Sequence, residues 1–160
     1  MKDFLHKNMS EWFIDFFKRN SDKQVIFNDK KLLRLYDVIN QEENLRMGIG
    51  YITRYISRKY QEKSFYIKNW EVVEWKENQG MDWHRDHLHY AATSIIFLND
   101  DFEGGELITA TDPTEKMKHL RTIHKPTKGT CVSFLGHTWH KVNPVTKGVR
   151  YTLAVWYHYV

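Results

Sequence analysis

Two side chains that can bind a metal ion lie two residues apart near the middle of the chain. They are His84 and Asp86, at the end of a predicted strand. Alternate residues of a strand point to the same face, so this imidazole and this carboxylate can hold one ion together. Alone the pair is weak evidence, because a solvated strand end explains most His-x-Asp tripeptides.

A third histidine and an arginine extend the candidate site. The segment from His140 to Arg150 reads His-Lys-Val-Asn-Pro-Val-Thr-Lys-Gly-Val-Arg. Its Pro/Gly turn predicts that the strands of His140 and Arg150 run antiparallel, which places a third ligand near a fixed positive charge. Two histidines and one carboxylate on one side of an ion leave its other positions open, an arrangement that suits non-haem Fe(II).

The elements that position these residues differ between the two parts of the chain. Ser10 is a predicted N-cap of a helix that ends near Asn20, and a second helix is predicted from an apolar stripe. The stripe consists of Leu45, Ile49, Ile52 and Ile56. Between the helices, residues 24–39 are compatible with a hairpin that turns at Asn28-Asp29 or with another helix.

Short runs rich in aromatic and β-branched residues follow from Phe65 onward, and turn residues separate them. Seven strands are predicted, at 65–75, 81–86, 91–98, 106–110, 130–135, 139–142 and 149–159. The polar segment 111–127 is predicted to be a mobile loop at the rim of the site. A helical beginning followed by seven strands indicates a β-sandwich or jelly roll backed by helices.

Composition limits the other functions. The chain has 160 residues and 24 basic against 20 acidic side chains, a formal charge of +4. Its basic run between Lys116 and Lys128 is read as a solvated face, so nucleic-acid binding is unsupported. Cys131 is the only cysteine, which excludes intramolecular disulfides and cysteine-based zinc sites. No apolar run approaches the roughly 20 residues of a membrane span, and no signal-peptide pattern is present. The sequence therefore predicts one cytoplasmic domain over residues 1–160.

Four segments in this order resemble the 2-oxoglutarate and Fe(II)-dependent oxygenases of the prolyl 4-hydroxylase type. The resemblance covers roughly residues 71–157. The segments are Glu-Val-Val-Glu-Trp75 with Asp-Trp-His-Arg-Asp86, Ser-Ile-Ile-Phe-Leu-Asn-Asp100 with Glu-Gly-Gly-Glu-Leu107, Lys-Gly-Thr-Cys-Val-Ser-Phe134, and His140 to Arg150 continuing to Trp156. The resemblance implies a double-stranded β-helix, here at 63–160, with an N-terminal helical part at 1–62 packed outside it.

Site roles follow from the same resemblance. It makes His84, Asp86 and His140 the iron ligands, and Arg150 the cation that holds the distal carboxylate of 2-oxoglutarate. Thr152 and Trp156 lie on the same face of the strand as Arg150 and would line the co-substrate pocket. His137 competes with His140 for the ligand role, and the pattern of residues up to Arg150 favours His140.

Other histidines lie near the candidate ligands in the sequence, and two residues depart from the family pattern. His87 and His89 are read as neighbours of the site and not as ligands. Trp75 stands where the family often has tyrosine, and Phe97 stands where some members have a tyrosine that contacts the co-substrate. Neither side chain supplies a phenol. Binding of the distal carboxylate of 2-oxoglutarate is therefore expected to depend more on Arg150 and Thr152.

The implied activity is hydroxylation of an unactivated C–H bond, with release of succinate and CO2. The implied cofactors are Fe(II), 2-oxoglutarate and O2, with ascorbate as a further candidate. A prolyl residue of a peptide or protein is the preferred substrate, followed by a lysyl residue or a small molecule. The alternative is a cupin-like metal-binding or sensor module without catalysis. The oligomeric state is left open.

Overall fold

The computed structural model describes residues 1–2, 4–60, 65–87 and 89–160. Within this part the helices are α1 (Lys7–Arg19) and α2 (Glu43–Lys59). The strands are β1 (Val25–Phe27), β2 (Lys30–Arg34), β3 (Phe65–Trp75), β4 (Met81–His84), β5 (Ala92–Phe97), β6 (Glu103–Gly104), β7 (Leu107–Ala110), β8 (Thr122–His124), β9 (Cys131–Leu135), β10 (Trp139–Val142), β11 (Val145–Lys147) and β12 (Arg150–Tyr159).

Two antiparallel sheets form the body of the fold. The major sheet has the order β1-β2-β3-β12-β5-β9, and the minor sheet has the order β4-β10-β7-β8. An apolar cluster with residues from both sheets, among them Val73, Phe97, Leu107 and Val142, lies between them. This is the predicted jelly-roll, double-stranded β-helix core, and the site described below lies in it.

The helices cover the outer face of the major sheet, as predicted. Phe13 and Phe17 of α1 and Ile52 of α2 are buried in one cluster with Trp70 and Leu153 of the sheet. The apolar stripe of α2 is confirmed, since Leu45, Ile52 and Ile56 are all buried and Ile49 packs against the same cluster. Neither helix has the length and apolar content needed to cross a bilayer, in the part of the chain that is described.

The predicted start of α1 is wrong. The helix begins at Lys7, and the imidazole of His6 accepts a hydrogen bond from the backbone N–H of Asn8. Ser10 lies within the first turns and is fully buried. The small Ser10 side chain is used for close packing, so its capping preference is not expressed.

Residues 24–39 contain the hairpin and not a third α-helix. β1 and β2 pair around Asn28 and Asp29, which both have positive φ values of 47° and 62°. These angles match the two-residue hairpin turn that twisted strands prefer. Because β2 pairs with β3, the N-terminal part contributes strands as well as helices to the fold. The predicted division at residues 62 and 63 lies outside the described residues.

All seven predicted strands are present: β3 and β10 have the predicted bounds, and the other five are slightly shorter. Three further short strands were not predicted. The missed strands are β6, β8 and β11. The predicted loop at 111–127 is wrong in part, because it contains a 3-10 helix (Glu115–Leu120) and β8, which pairs with β7. Strands of two or three residues are too short to show alternation of apolar and polar side chains. They form because a neighbouring strand pairs with them.

Two glycines give a stability prediction. A Cβ on Gly136, in the turn after β9, would overlap the carbonyl oxygen of Tyr90, whereas a Cβ on Gly50 of α2 would have no neighbour within 4 Å. We expect Gly136→Ala to lower the free energy of unfolding by about 1–3 kcal/mol. Gly50→Ala should raise it by roughly 0.5–1 kcal/mol, because alanine loses less chain entropy in a helix. Urea unfolding of both variants checks this; a destabilised Gly50→Ala variant would contradict it.

Candidate active site

Three potential metal ligands meet at one end of the space between the sheets. His84 ends β4 and lies opposite His140 of β10, and Asp86 follows two residues after His84. One ligand atom from each of the three side chains lies within 4.8 Å of the other two. The structure therefore brings together the three residues that the sequence selected. His137 is not part of this group.

The hydrogen bonds of the two imidazoles set their tautomers. His84 Nδ1 lies 2.8 Å from the carbonyl oxygen of Asp82, and His140 Nδ1 lies 3.0 Å from that of Thr138. A carbonyl oxygen only accepts, so each Nδ1 carries the proton and donates. Each Nε2 then keeps its lone pair, and carbonyl anchors of this kind are typical of histidines that bind metals.

The carboxylate and the charge state of His140 also suit a metal ion. The hydroxyl of Thr93 donates to Asp86 Oδ2, while Asp86 Oδ1 lies 3.7 Å from His140 Nε2. Burial lowers the pKa of His140, and this outweighs the opposite effect of Asp86. A neutral imidazole is the form that ligates a metal. The three donors fit Fe(II) bound on one side, with other positions left open.

A buried cation lies deeper in the fold. Arg150 is 1% exposed, and its Nε and Nη1 atoms have no hydrogen-bond partner among the residues that the structure describes. Its guanidinium lies 4.8 Å from the ring centroid of Trp75 and 5.3 Å from that of Phe97. Burial lowers the pKa of Arg150 to about 9, which leaves the group charged at neutral pH. Buried donors without partners are rare and costly, so this arrangement suits a bound anion.

Trp75 orients the neighbouring threonine. The indole Nε1 of Trp75 donates to Thr152 Oγ1 over 3.2 Å. Because the Thr152 oxygen accepts from Trp75, its own O–H is free to donate to a third group. In the sequence, Trp75 is notable only because it stands where the family often has tyrosine. Its hydrogen bond to Thr152 joins β3 to β12, and the sequence alone did not predict it. Phe97 is fully buried and supplies a ring to Arg150.

Two cavities meet at His84 and Asp86. The inner cavity, of about 130 Å³, is enclosed by side chains of both sheets, including Lys30, Trp75, Arg150, Thr152 and Trp156. The outer groove, of about 650 Å³, is lined by Arg85, His87, Tyr90, His137, Trp139 and Tyr159, among others. His84 and Asp86 line both cavities. An ion held there would face a molecule on each side.

The outer groove contains residues that the sequence did not assign to the site. The guanidinium of Arg85 lies 4.8 Å from the ring centroid of Trp139, and the two side chains form one wall. His137 also lines this groove and does not line the inner cavity. None of the described residues of 111–127 lines either cavity, so the predicted rim position of that segment is not observed.

Comparison with known proteins agrees with this geometry. Residues 70–158 match the profile of the 2OG-Fe(II) oxygenase superfamily. Prolyl 3-hydroxylase 2 from Homo sapiens is 40% identical over 68 residues, which are 41% of this chain but only 9% of that protein. The chain thus spans about a tenth of the length of this relative.

Solved structures show the same fold at low identity. A Pseudomonas putida prolyl-4-hydroxylase has a TM-score of 0.76 at 14% identity, and the match covers 99% of this chain and 90% of that one. The non-haem, alpha-ketoglutarate-dependent epimerase SnoN from nogalamycin biosynthesis has a TM-score of 0.77 at 14% identity, covering 98% and 76%. With more than half of its residues matched by the family profile, this chain belongs to the 2OG-Fe(II) oxygenase superfamily.

Proposed function

We propose that this protein is a 2-oxoglutarate- and Fe(II)-dependent dioxygenase that hydroxylates a prolyl residue of a peptide or protein. The observation that carries the proposal is the guanidinium of Arg150, whose Nε and Nη1 have no partner in the described part of the chain. It lies in a cavity that is also lined by His84, Asp86 and His140. A molecule with a carboxylate at one end and metal-binding oxygens at the other could bind the guanidinium and the metal ion at once. 2-Oxoglutarate has this shape.

His84, Asp86 and His140 would hold the iron. Bound Fe(II) supplies the oxidation, in which O2 and 2-oxoglutarate yield succinate, CO2 and one oxygen atom for the substrate C–H bond. The three side chains fix the ion at the junction of the two cavities and leave its remaining positions open for the co-substrates. The carbonyl oxygens of Asp82 and Thr138 keep both imidazoles in the tautomer that ligates through Nε2.

Arg150 and Thr152 would bind the co-substrate. The guanidinium of Arg150 has donors without a partner in the described residues, and charge-assisted hydrogen bonds from arginine to a carboxylate are among the strong hydrogen bonds in proteins. Thr152 can add a donor, because its oxygen accepts from Trp75 and its own O–H stays free. Trp156 lies beside Thr93 on the neighbouring strand, at the level of Asp86, and would bound the cavity near the ion.

The substrate would lie in the outer groove. Arg85, Tyr90 and Trp139 give this groove a mixed aromatic and cationic wall that is open to solvent. Prolyl substrates rank first because the names of several relatives and fold neighbours describe prolyl hydroxylases. Lysyl residues and small molecules rank behind them. SnoN is described as an epimerase, so the same fold also accommodates another reaction.

A binding module without catalysis is the second candidate. A cupin-like sensor needs the three ligands but has no use for a buried arginine with unpaired donors beside them. Arg150 therefore favours the oxygenase.

Succinate formation separates the two candidates. Purified protein with Fe(II), 2-oxoglutarate, O2 and ascorbate, which keeps the iron ferrous, should release succinate. Proline-containing peptides should gain one oxygen atom by mass spectrometry, while matched peptides with alanine in place of proline should not. Absence of both succinate formation and 2-oxoglutarate binding would refute the dioxygenase assignment.

The hydroxyl of Thr152 gives a smaller, separate prediction. Thr152→Val keeps the shape but loses one donor, so the 2-oxoglutarate concentration for half-maximal succinate formation should rise about fivefold, or roughly 1 kcal/mol. Thr122→Val, at an exposed position of β8, is the matched control and should leave it unchanged. Equal values for Thr152→Val and the unmodified protein would remove Thr152 from the binding site.

A further inference from the structure

A buried lysine contacts the same indole ring as Arg150 and lines the same cavity. Lys30, the first residue of β2, is 7% exposed and lines the inner cavity. Its ammonium lies 4.8 Å from the ring centroid of Trp75, the same distance at which Arg150 contacts that ring. Lys31 pairs with Glu74 and Arg150 pairs with Trp75, so Lys30, Trp75 and Arg150 lie at one level on three neighbouring strands.

The charge of Lys30 has no acidic partner in the described residues. Its ammonium donates one hydrogen bond, to the carbonyl oxygen of Asn28 at 2.9 Å. An ammonium has three donors, so two remain available. Burial lowers the pKa of Lys30, with a smaller opposite effect from Asp29. A buried cation in this state is stabilised by any anion that enters the cavity.

The carboxylate of Glu71 also lines the inner cavity, but it does not compensate Lys30. Glu71 lies 3.5 Å from the guanidinium of Arg34, and burial raises its pKa. The side of the cavity near Trp75 therefore carries two cations, Lys30 and Arg150, which both have donors to spare.

We propose that Lys30 is a second cationic binding residue for the distal carboxylate of 2-oxoglutarate, acting together with Arg150. The inference rests on the proposed function. A carboxylate has about four lone-pair sites, so it can accept from the guanidinium, from Thr152 and from the ammonium at once. The β1–β2 hairpin then takes part in selecting the co-substrate, because the turn at Asn28 and Asp29 places Lys30 in the cavity.

Equilibrium binding to the Mn(II)-loaded protein without O2 tests this apart from turnover. Lys30→Met, which keeps the apolar stem beside Trp75, should weaken 2-oxoglutarate binding about tenfold in calorimetry. The matched control is Lys31→Met, at the next and exposed position of β2, which should bind as the unmodified protein does. Lys30→Arg should restore most of the affinity.

A shortened ligand separates binding from structure. 2-Oxobutyrate keeps the 2-oxo acid group but lacks the distal carboxylate, so Lys30→Met should not change its affinity. If Lys30→Met weakens both ligands equally, or neither, the assignment of Lys30 is overturned. If the unmodified Mn(II) protein binds no 2-oxoglutarate, the proposed function itself fails. Lys30→Gln, which keeps a donor for Asn28, is the second variant should Lys30→Met not fold.

Discussion

Replacing His140 with alanine is expected to abolish iron binding and succinate formation, whereas His137→Ala should retain at least part of both. His140 is buried, and its Nδ1–H is fixed by the carbonyl oxygen of Thr138, so Nε2 faces His84 and Asp86. His137 lines the outer groove and is not in this group. Removing the hydrogen-bond partner of a metal ligand typically lowers metal affinity by roughly 10–100-fold. Removing the ligand itself should lower the affinity for Fe(II) further.

Asp86→Ala should have the same effect as His140→Ala. The variant removes the only anionic ligand and leaves two neutral imidazoles. Asp82→Ala is the matched control, because that exposed carboxylate is close in sequence and only the backbone carbonyl of Asp82 contacts His84. Anaerobic titration with Fe(II) measures all four variants. Equal losses in His137→Ala and His140→Ala would mean that the third ligand is misassigned, and an unchanged Asp86→Ala protein would refute the three-ligand site.

The three candidate ligands could be predicted because the family resemblance covers all of them and two of them are close in sequence. His84 and Asp86 are only two residues apart, although β4 ends at His84 and Asp86 follows the strand. The predicted antiparallel pairing of the strands of His140 and Arg150 is wrong, because β10 lies in the minor sheet, β12 lies in the major sheet and β11 lies between them in the chain. His140 and Arg150 line the same cavity because both sheets contribute to it. The roles of these residues stay predictions until the variants are measured.

The remainder of the site depends on contacts between distant strands. Trp75 and Thr152 are brought together by pairing of β3 with β12. Lys30 is buried because β2 joins the edge of β3, and nothing in its own segment shows that this lysine faces inward. Charged residues are almost never fully buried without a partner, so the sequence alone predicts an exposed Lys30. The prediction that Ser10 caps α1 was wrong for a related reason. Ser10 is buried within the helix by packing against other parts of the chain, which its own segment does not show.

Replacing Arg150 with alanine is expected to raise the 2-oxoglutarate requirement by on the order of a hundredfold or more. Its guanidinium has two unpaired donors, and each charge-assisted hydrogen bond contributes roughly 1.5–3 kcal/mol, while 1.4 kcal/mol corresponds to about tenfold. Arg150→Lys keeps a charge but loses the planar fork, so its effect should be intermediate. Succinate formation measured against 2-oxoglutarate concentration gives these values.

Thermal unfolding without co-substrate distinguishes a binding arginine from a structural one. Arg150→Met fills the space between Trp75 and Phe97 with an apolar chain. It also removes a buried cation whose Nε and Nη1 have no hydrogen-bond partner in the described residues. Removing such an uncompensated charge should leave the unfolding temperature unchanged or raise it, while 2-oxoglutarate binding falls. A structural arginine would give the opposite pattern, with a lower unfolding temperature and near-normal co-substrate affinity. That pattern would refute the assigned role of Arg150.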